Sequence, residues 1–165
     1  MDIEVSAGGR IAWPGGSARC ALGRGGIRRA KREGDGATPA GTFALRRVLY
    51  RADRLDRPTT GLPVRALRPD DGWSDDPADP LYNRPVTRPH PYGHEALWRE
   101  DRLYDVIVVI GHNEDPVRPG HGSAVFIHVA GADYAPTAGC VALALADLLA
   151  LLGACAPADR IAIRP

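Results

Sequence analysis

The chain has 165 residues, a length that fits one domain with its own core. Its 21 Lys and Arg against 20 Asp and Glu leave a net charge of +1, which excludes the strongly basic footprint of a nucleic-acid-binding protein. With 19 Gly and 15 Pro the chain is rich in turns, which excludes a fold of long helices, and no apolar run reaches the roughly 20 residues that span a bilayer.

The first ten residues show no basic stretch followed by an apolar one, so no secretory leader is visible. Asp2–Val5 and Arg10–Trp13 flank Ala7-Gly8-Gly9 and read as a hairpin. Ser17–Leu22 is a further strand, and Gly23 opens a loop that runs to Gly41. Its glycines do not have the spacing of a phosphate cradle, and no Gly-Lys-Ser/Thr follows. Thr42–Arg51 alternates, with Phe43, Leu45, Arg47 and Leu49 on one parity, and reads as a strand.

Asp53–Pro91 is rich in Pro, Asp and Arg and lacks a period, so it reads as an insertion or a set of surface loops. Within it Trp73, Tyr82, Asn83, Arg84 and His90 are candidates either for binding or for pinning the loop to itself. Tyr104–Ile110 is apolar on both parities and so predicts a strand buried on both faces. Ser123–Val129 predicts the next strand. Leu145, Leu148, Leu149 and Leu152 lie at helical spacing, predicting a helix over Leu143–Leu152 with Gly153 at C′. Arg160–Arg164 predicts a last strand. The fold class is therefore mostly β, a β-rich α+β chain, with no internal repeat and no domain boundary within residues 1–165.

Three cysteines stand at 20, 140 and 155. An odd number cannot form a complete disulfide framework, although a Cys20–Cys155 bridge would leave Cys140 free. Cys140 is the chemically loaded one. It follows Gly139 in Thr137-Ala138-Gly139-Cys140-Val141, twelve positions after His128 at the end of an apolar run. An imidazole beside a thiol takes its proton and releases a nucleophilic thiolate, and a glycine before it lets backbone N–H groups reach an oxyanion. The same two residues also suit simple packing. His112, His121, His128 and Cys140 are spread singly, without the close ligand pairs of a zinc site, so no metal is expected.

The segment from His121 to Leu152, reading HGSAVFIHVAGADYAPTAGCVAL at its start, resembles the signature of L,D-transpeptidase catalytic domains (the YkuD-like family). Upstream, Thr38-Pro39-Ala40-Gly41-Thr42-Phe43 is similar to a second element of that family. The resemblance spans most of the chain. It implies a small β-sandwich or barrel with one or two short helices and long loops. It implies acyl transfer through a thioester on Cys140, with His128 as base and Gly139, Cys140 and Thr137 around the oxyanion. It implies peptidoglycan stem peptides as substrate, no cofactor, a monomer, and a place in the periplasm or cell wall. The missing leader leaves the cytoplasm open.

Two positions depart from the family pattern. Many members carry a His where Ala138 stands and an Arg where Ala142 stands. The cation beside the nucleophile is gone, so the donor must be held from elsewhere. Lys31, Arg32, Arg47, Arg51 and Arg84 are candidates, with Arg32, Arg47 and Arg84 preferred. Tyr82, His112 and Asn113 are further candidates for substrate contact, and the last two also for orienting His128. The scissile bond follows either the L-centre of diaminopimelate at position three or L-Ala at position one. Water in place of an acceptor amine would make the chain a carboxypeptidase, and loss of turnover would leave a wall-peptide-binding domain.

Overall fold

The structure, a computed structural model, describes residues 1–165. Strands β1 (Asp2–Ser6), β2 (Arg10–Trp13) and β3 (Gly16–Arg19) form an antiparallel meander at the N-terminus. Inside the glycine-rich loop, β4 (Ile27–Arg28) and β5 (Thr38–Pro39) make a short parallel pair. The longest strand is β6 (Gly41–Tyr50). Its expected strict alternation does not hold. The pairing skips Arg46, so Leu45 and Val48 both enter one core while Leu49 faces the other side.

Residues 53–91 are more ordered than a set of surface loops. β7 (Val64–Ala66) pairs with β6 in parallel. β8 (Asp71–Ser74), β9 (Pro85–Thr87) and β10 (His94–Ala96) form a separate antiparallel sheet with β8 in the middle. Apolar burial explains why this segment folds. Leu67, Trp73 and Leu97 bury against Ile107, Val109 and Phe126. Leu67 and Trp73 within it, and Leu97 just after it, anchor a segment that has no sequence period.

β11 (Val106–Ile110) is buried at every position, as its two apolar parities predict. Val106, Val108 and Ile110 face the main core, and Ile107 and Val109 face the smaller one. β12 is Phe126–Val129 and starts later than expected, because Ala124 takes a left-handed conformation, φ 52°, that no strand continues through. A short 3₁₀ turn at Ala132–Tyr134 leads towards β13 (Val141–Leu143). Helix α1 runs over Leu145–Ala154, shifted by two residues from the expected span. Leu143 is taken by β13 instead, paired with Val129, and Gly153 lies inside the last turn, which Cys155 ends with extended backbone. α1 buries Leu148, Leu151 and Leu152 in the main core, and β14 (Arg160–Arg164) completes the chain.

The large sheet has the order β13-β12-β11-β6-β14-β1-β2-β3, with β7 beside β6. Its two edges meet. Ala21, just past β3, exchanges backbone hydrogen bonds of 2.8 and 2.9 Å with Ala142 of β13, which nearly closes the sheet into a barrel. All three cysteines are free and buried, so no Cys20–Cys155 bridge exists and Cys155 is a packed thiol.

The smaller sheet is tied to the barrel through Asn83. This side chain is 5 % exposed, and all four of its hydrogen-bonding sites are used. Oδ1 accepts from Trp73 Nε1 at 2.9 Å and from the Ala124 N–H at 3.2 Å. Nδ2 donates to the carbonyls of His112 at 3.0 Å and Asn113 at 2.7 Å. Removing it strands several polar groups in a low-dielectric interior, at about 1–3 kcal/mol for each buried one. Asn83→Ala should therefore lower unfolding stability by about 3 kcal/mol. Urea titration followed by circular dichroism should show a lower midpoint at an unchanged slope.

Candidate active site

Period-two alternation on β12 sends Ile127 and Val129 into the main core, and Phe126 and His128 to the opposite face. β13 lies parallel to β12 with His128 beside Ala142. Cys140, immediately before β13, therefore arrives on the face that carries His128. Both residues line one cavity of about 390 Å³.

The turn that presents Cys140 is braced by a chain of hydrogen bonds. The Thr137 hydroxyl donates to the Cys140 carbonyl at 2.7 Å and accepts from the Gly139 N–H at 3.1 Å. Thr137 N–H donates to the Leu22 carbonyl, and Arg24 N–H to the Thr137 carbonyl, at 2.9 and 3.0 Å. Next to these, Gly23 N–H donates to the Thr38 hydroxyl at 2.8 Å. Thr38 and its neighbours thus stand directly under the Cys140 turn. Gly139 has φ 143°, and a Cβ there would lie 2.8 Å from the Ala37 carbonyl oxygen. Only glycine fits both the conformation and the approach. The Cys140 N–H has no partner within the chain and is free to donate.

His128 is oriented by backbone. Its Nδ1 lies 2.8 Å from the Val129 carbonyl. A carbonyl only accepts, so Nδ1 carries the proton and Nε2 is left as the basic atom. His112 and Asn113 do not take this part. Tyr104 packs edge-on against the His128 ring at 5.3 Å, with planes at 74°. The Cys140 sulfur accepts from the Phe126 N–H at 3.3 Å and donates to the Ala124 carbonyl at 3.3 Å.

Burial, reinforced by the nearby Glu95 carboxylate, pushes the Cys140 thiol up to about 12. Burial also holds His128 below the ordinary imidazole value. Both effects favour the uncharged forms, a thiol and a neutral imidazole lining one cavity.

The three preferred arginines and the three further candidates for substrate contact lie elsewhere. Arg47, Arg84 and His112 line a separate recess with Glu114, and Arg32 and Asn113 line a third one with His121. Tyr82 is buried, donating its hydroxyl to Glu33 at 2.7 Å and accepting from the Gly122 N–H at 3.0 Å. The cavity is instead lined by Arg24, Lys31 and Arg99, and by Glu33, Asp75 and Glu95. Lys31 is paired with Asp35 and Arg99 with Asp101, whereas Arg24 has no ion-pair partner. Of these only Lys31 figured among the sequence candidates. The others come from segments without a local signal, and only the folded chain assembles them.

A family model describing the L,D-transpeptidase catalytic domain, YkuD, matches residues 4–163. The chain belongs to this family. The L,D-transpeptidase match covers the barrel, both edges of the cavity and the smaller sheet. No curated protein and no solved structure matches the chain. L,D-transpeptidases act on peptidoglycan peptides and typically work at the cell wall or in the periplasm. No helix of the chain is long and apolar enough to cross a membrane.

The electrostatics lead to a test. A thiol held near 12 ionises progressively as pH rises, so alkylation of Cys140 by iodoacetamide should accelerate steadily from pH 7 to 10. Mass spectrometry of the modified peptide would follow it. A plateau of reactivity near neutral pH would instead reveal a preformed thiolate–imidazolium pair.

Proposed function

We propose that the chain is a cysteine acyltransferase of peptidoglycan stem peptides that works through a thioester on Cys140. The observation that carries this reading is that Cys140 and His128 open into one cavity, with the His128 proton committed to Val129 and Nε2 left to act as base. His128 Nε2 takes the thiol proton as Sγ attacks the carbonyl of an L-residue joined to a D-residue. The Cys140 N–H, free of other partners, is the backbone donor available to the oxyanion. Thr137 and Gly139 hold the turn in shape around that donor. The imidazolium then returns its proton to the leaving amine, and an acceptor amine resolves the thioester to a cross-link.

The neutral resting pair fits this order of events. A thiol that ionises only as it attacks does not hold a bare charge in a buried site, and needs no cation beside it. Hydrolysis by water in place of the amine is the carboxypeptidase branch of the same chemistry.

The donor stem carries carboxylates, and an unpaired guanidinium at the cavity wall supplies a bidentate partner. Arg24 is that group, and it replaces the cation missing at Ala142. Recognition of the position-three diaminopimelate centre is the preferred reading, with L-Ala at position one as the other donor.

Cys140→Ala should abolish both cross-linking and hydrolysis of muropeptides, while Cys20→Ala and Cys155→Ala retain turnover. Product analysis by mass spectrometry decides this, and full activity in Cys140→Ala would end the thioester mechanism. Arg24→Ala should reduce kcat/KM about tenfold, a loss of about 1.4 kcal/mol, and more than Arg47→Ala or Arg84→Ala does. Equal effects in all three variants would move the donor site away from Arg24.

A further inference from the structure

Glu95 is unexplained by the first half of this reaction, and works against it. It lies in the central pairing of β10 with β8, opposite Trp73, and its side chain lines the cavity of Cys140 and His128. The Tyr104 hydroxyl donates to Oε1. Tyr104 in turn packs edge-on against His128. Oε2 has no protein partner. No fully buried side-chain oxygen of the chain lacks a hydrogen bond, so Oε2 keeps contact with open space at the cavity wall. A carboxylate so placed repels a developing thiolate and raises the thiol, which hinders formation of the thioester.

The other carboxylates of the wall make no contact that reaches His128. Glu33 accepts from Tyr82 and Ser123 and braces the loop. Asp75 directly follows β8 and is partly exposed like Glu95, but no tyrosine joins it to His128. Glu95 alone combines a tyrosine clamp that reaches the catalytic imidazole with a free oxygen in the cavity.

We infer that Glu95 is a catalytic residue for the second half-reaction, where its free oxygen binds the acceptor's ammonium group and removes the proton that keeps it from attacking. The inference rests on the thioester reading above. An alkyl ammonium has a pKa of about 10, so at neutral pH nearly all of the acceptor arrives protonated and without a lone pair. The ammonium gives one proton to Oε2. The nitrogen lone pair forms a C–N bond to the thioester carbonyl carbon, and the C–S bond breaks with its electron pair returning to sulfur. His128 carries the second amine proton to Sγ, and Glu95 releases its own to solvent. An amide, a neutral thiol and one proton result.

Burial, aided by Asp75 and Glu33 and opposed by the Tyr104 hydrogen bond and Arg99, holds the Glu95 carboxyl above the usual range. The sign is that of a better proton acceptor than an exposed carboxylate. Water needs no such deprotonation by Glu95 to approach the thioester, so the residue should set the partition between cross-linking and hydrolysis.

The test is partition of the acyl-enzyme. The protein is given a stem-peptide donor with a D-amino acid as ammonium acceptor, or with hydroxylamine, whose nitrogen is neutral at pH 7. Glu95→Gln should lower the ratio of ammonium-acceptor product to hydrolysis product by about tenfold or more at pH 7. The deficit should shrink as pH approaches 10, and the ratio with hydroxylamine should stay near that of wild type. Glu95→Asp, which keeps the charge, should restore part of the ratio. An unchanged ratio in Glu95→Gln, an equal loss with hydroxylamine, or no restoration in Glu95→Asp would overturn the inference. Absence of any thioester at Cys140 in the wild-type protein would overturn the acyl-transfer reading itself, and this one with it.

Discussion

Two backbone hydrogen bonds between Ala21 and Ala142, at 2.8 and 2.9 Å, hold the rest of the architecture in place. They join the two ends of an eight-strand path and turn an open sheet into a nearly closed one. Unpaired edges are costly in a small β protein, and closure removes them at this point. The same pair clamps Ala142, two residues after Cys140. Thr137, three residues before Cys140, is held by Leu22 and Arg24 on the strand extension that carries Ala21. The turn bearing Cys140 is thus gripped on both sides by one edge of the sheet. Closure of the fold and presentation of Cys140 are one structural event.

The opposite wall of the cavity comes from the segment after β6. Trp73, Leu97 and Tyr104 bury against Phe126, and Asn83 joins β8, the His112–Asn113 turn and Ala124. Ala124 is strained into a left-handed conformation, of a kind that costs on the order of 1–3 kcal/mol for a non-glycine residue. In exchange its carbonyl points at the Cys140 sulfur. The Asn83 amide holds that conformation from behind. A polar side chain in an apolar layer is stable here because each of its valences is met.

The electrostatic character of the cavity is mixed rather than cationic. Arg24 stands without an ion-pair partner, while Lys31 and Arg99 are each occupied by a carboxylate outside the cavity lining. Glu33, Asp75 and Glu95 line the same cavity. Burial favours the neutral forms of Cys140 and His128.

Strand identity was legible wherever one local pattern had one physical cause. The two apolar parities of Val106–Ile110 meant burial on both faces, and the residues order into two cores accordingly. Thr-x-Gly-Cys with an upstream His, and Thr38-Pro39 before it, named the family, and a family match over residues 4–163 agrees. Short-range geometry was less readable. The skip at Arg46, the left-handed Ala124 and the two-residue shift of α1 depend on partners far along the chain. The cavity wall was not readable at all. Arg24, Glu95, Arg99 and Tyr104 lie up to 80 positions apart, and nothing in their own surroundings marks them. The sequence by itself determined the mostly-β class, the main strands of the large sheet and the family, because each rests on contacts between near neighbours or on a fixed spacing. Only the tertiary structure decided which charges face Cys140, because closure of the sheet at Ala21 and Ala142 and the docking of β8 through Asn83 bring those charges together.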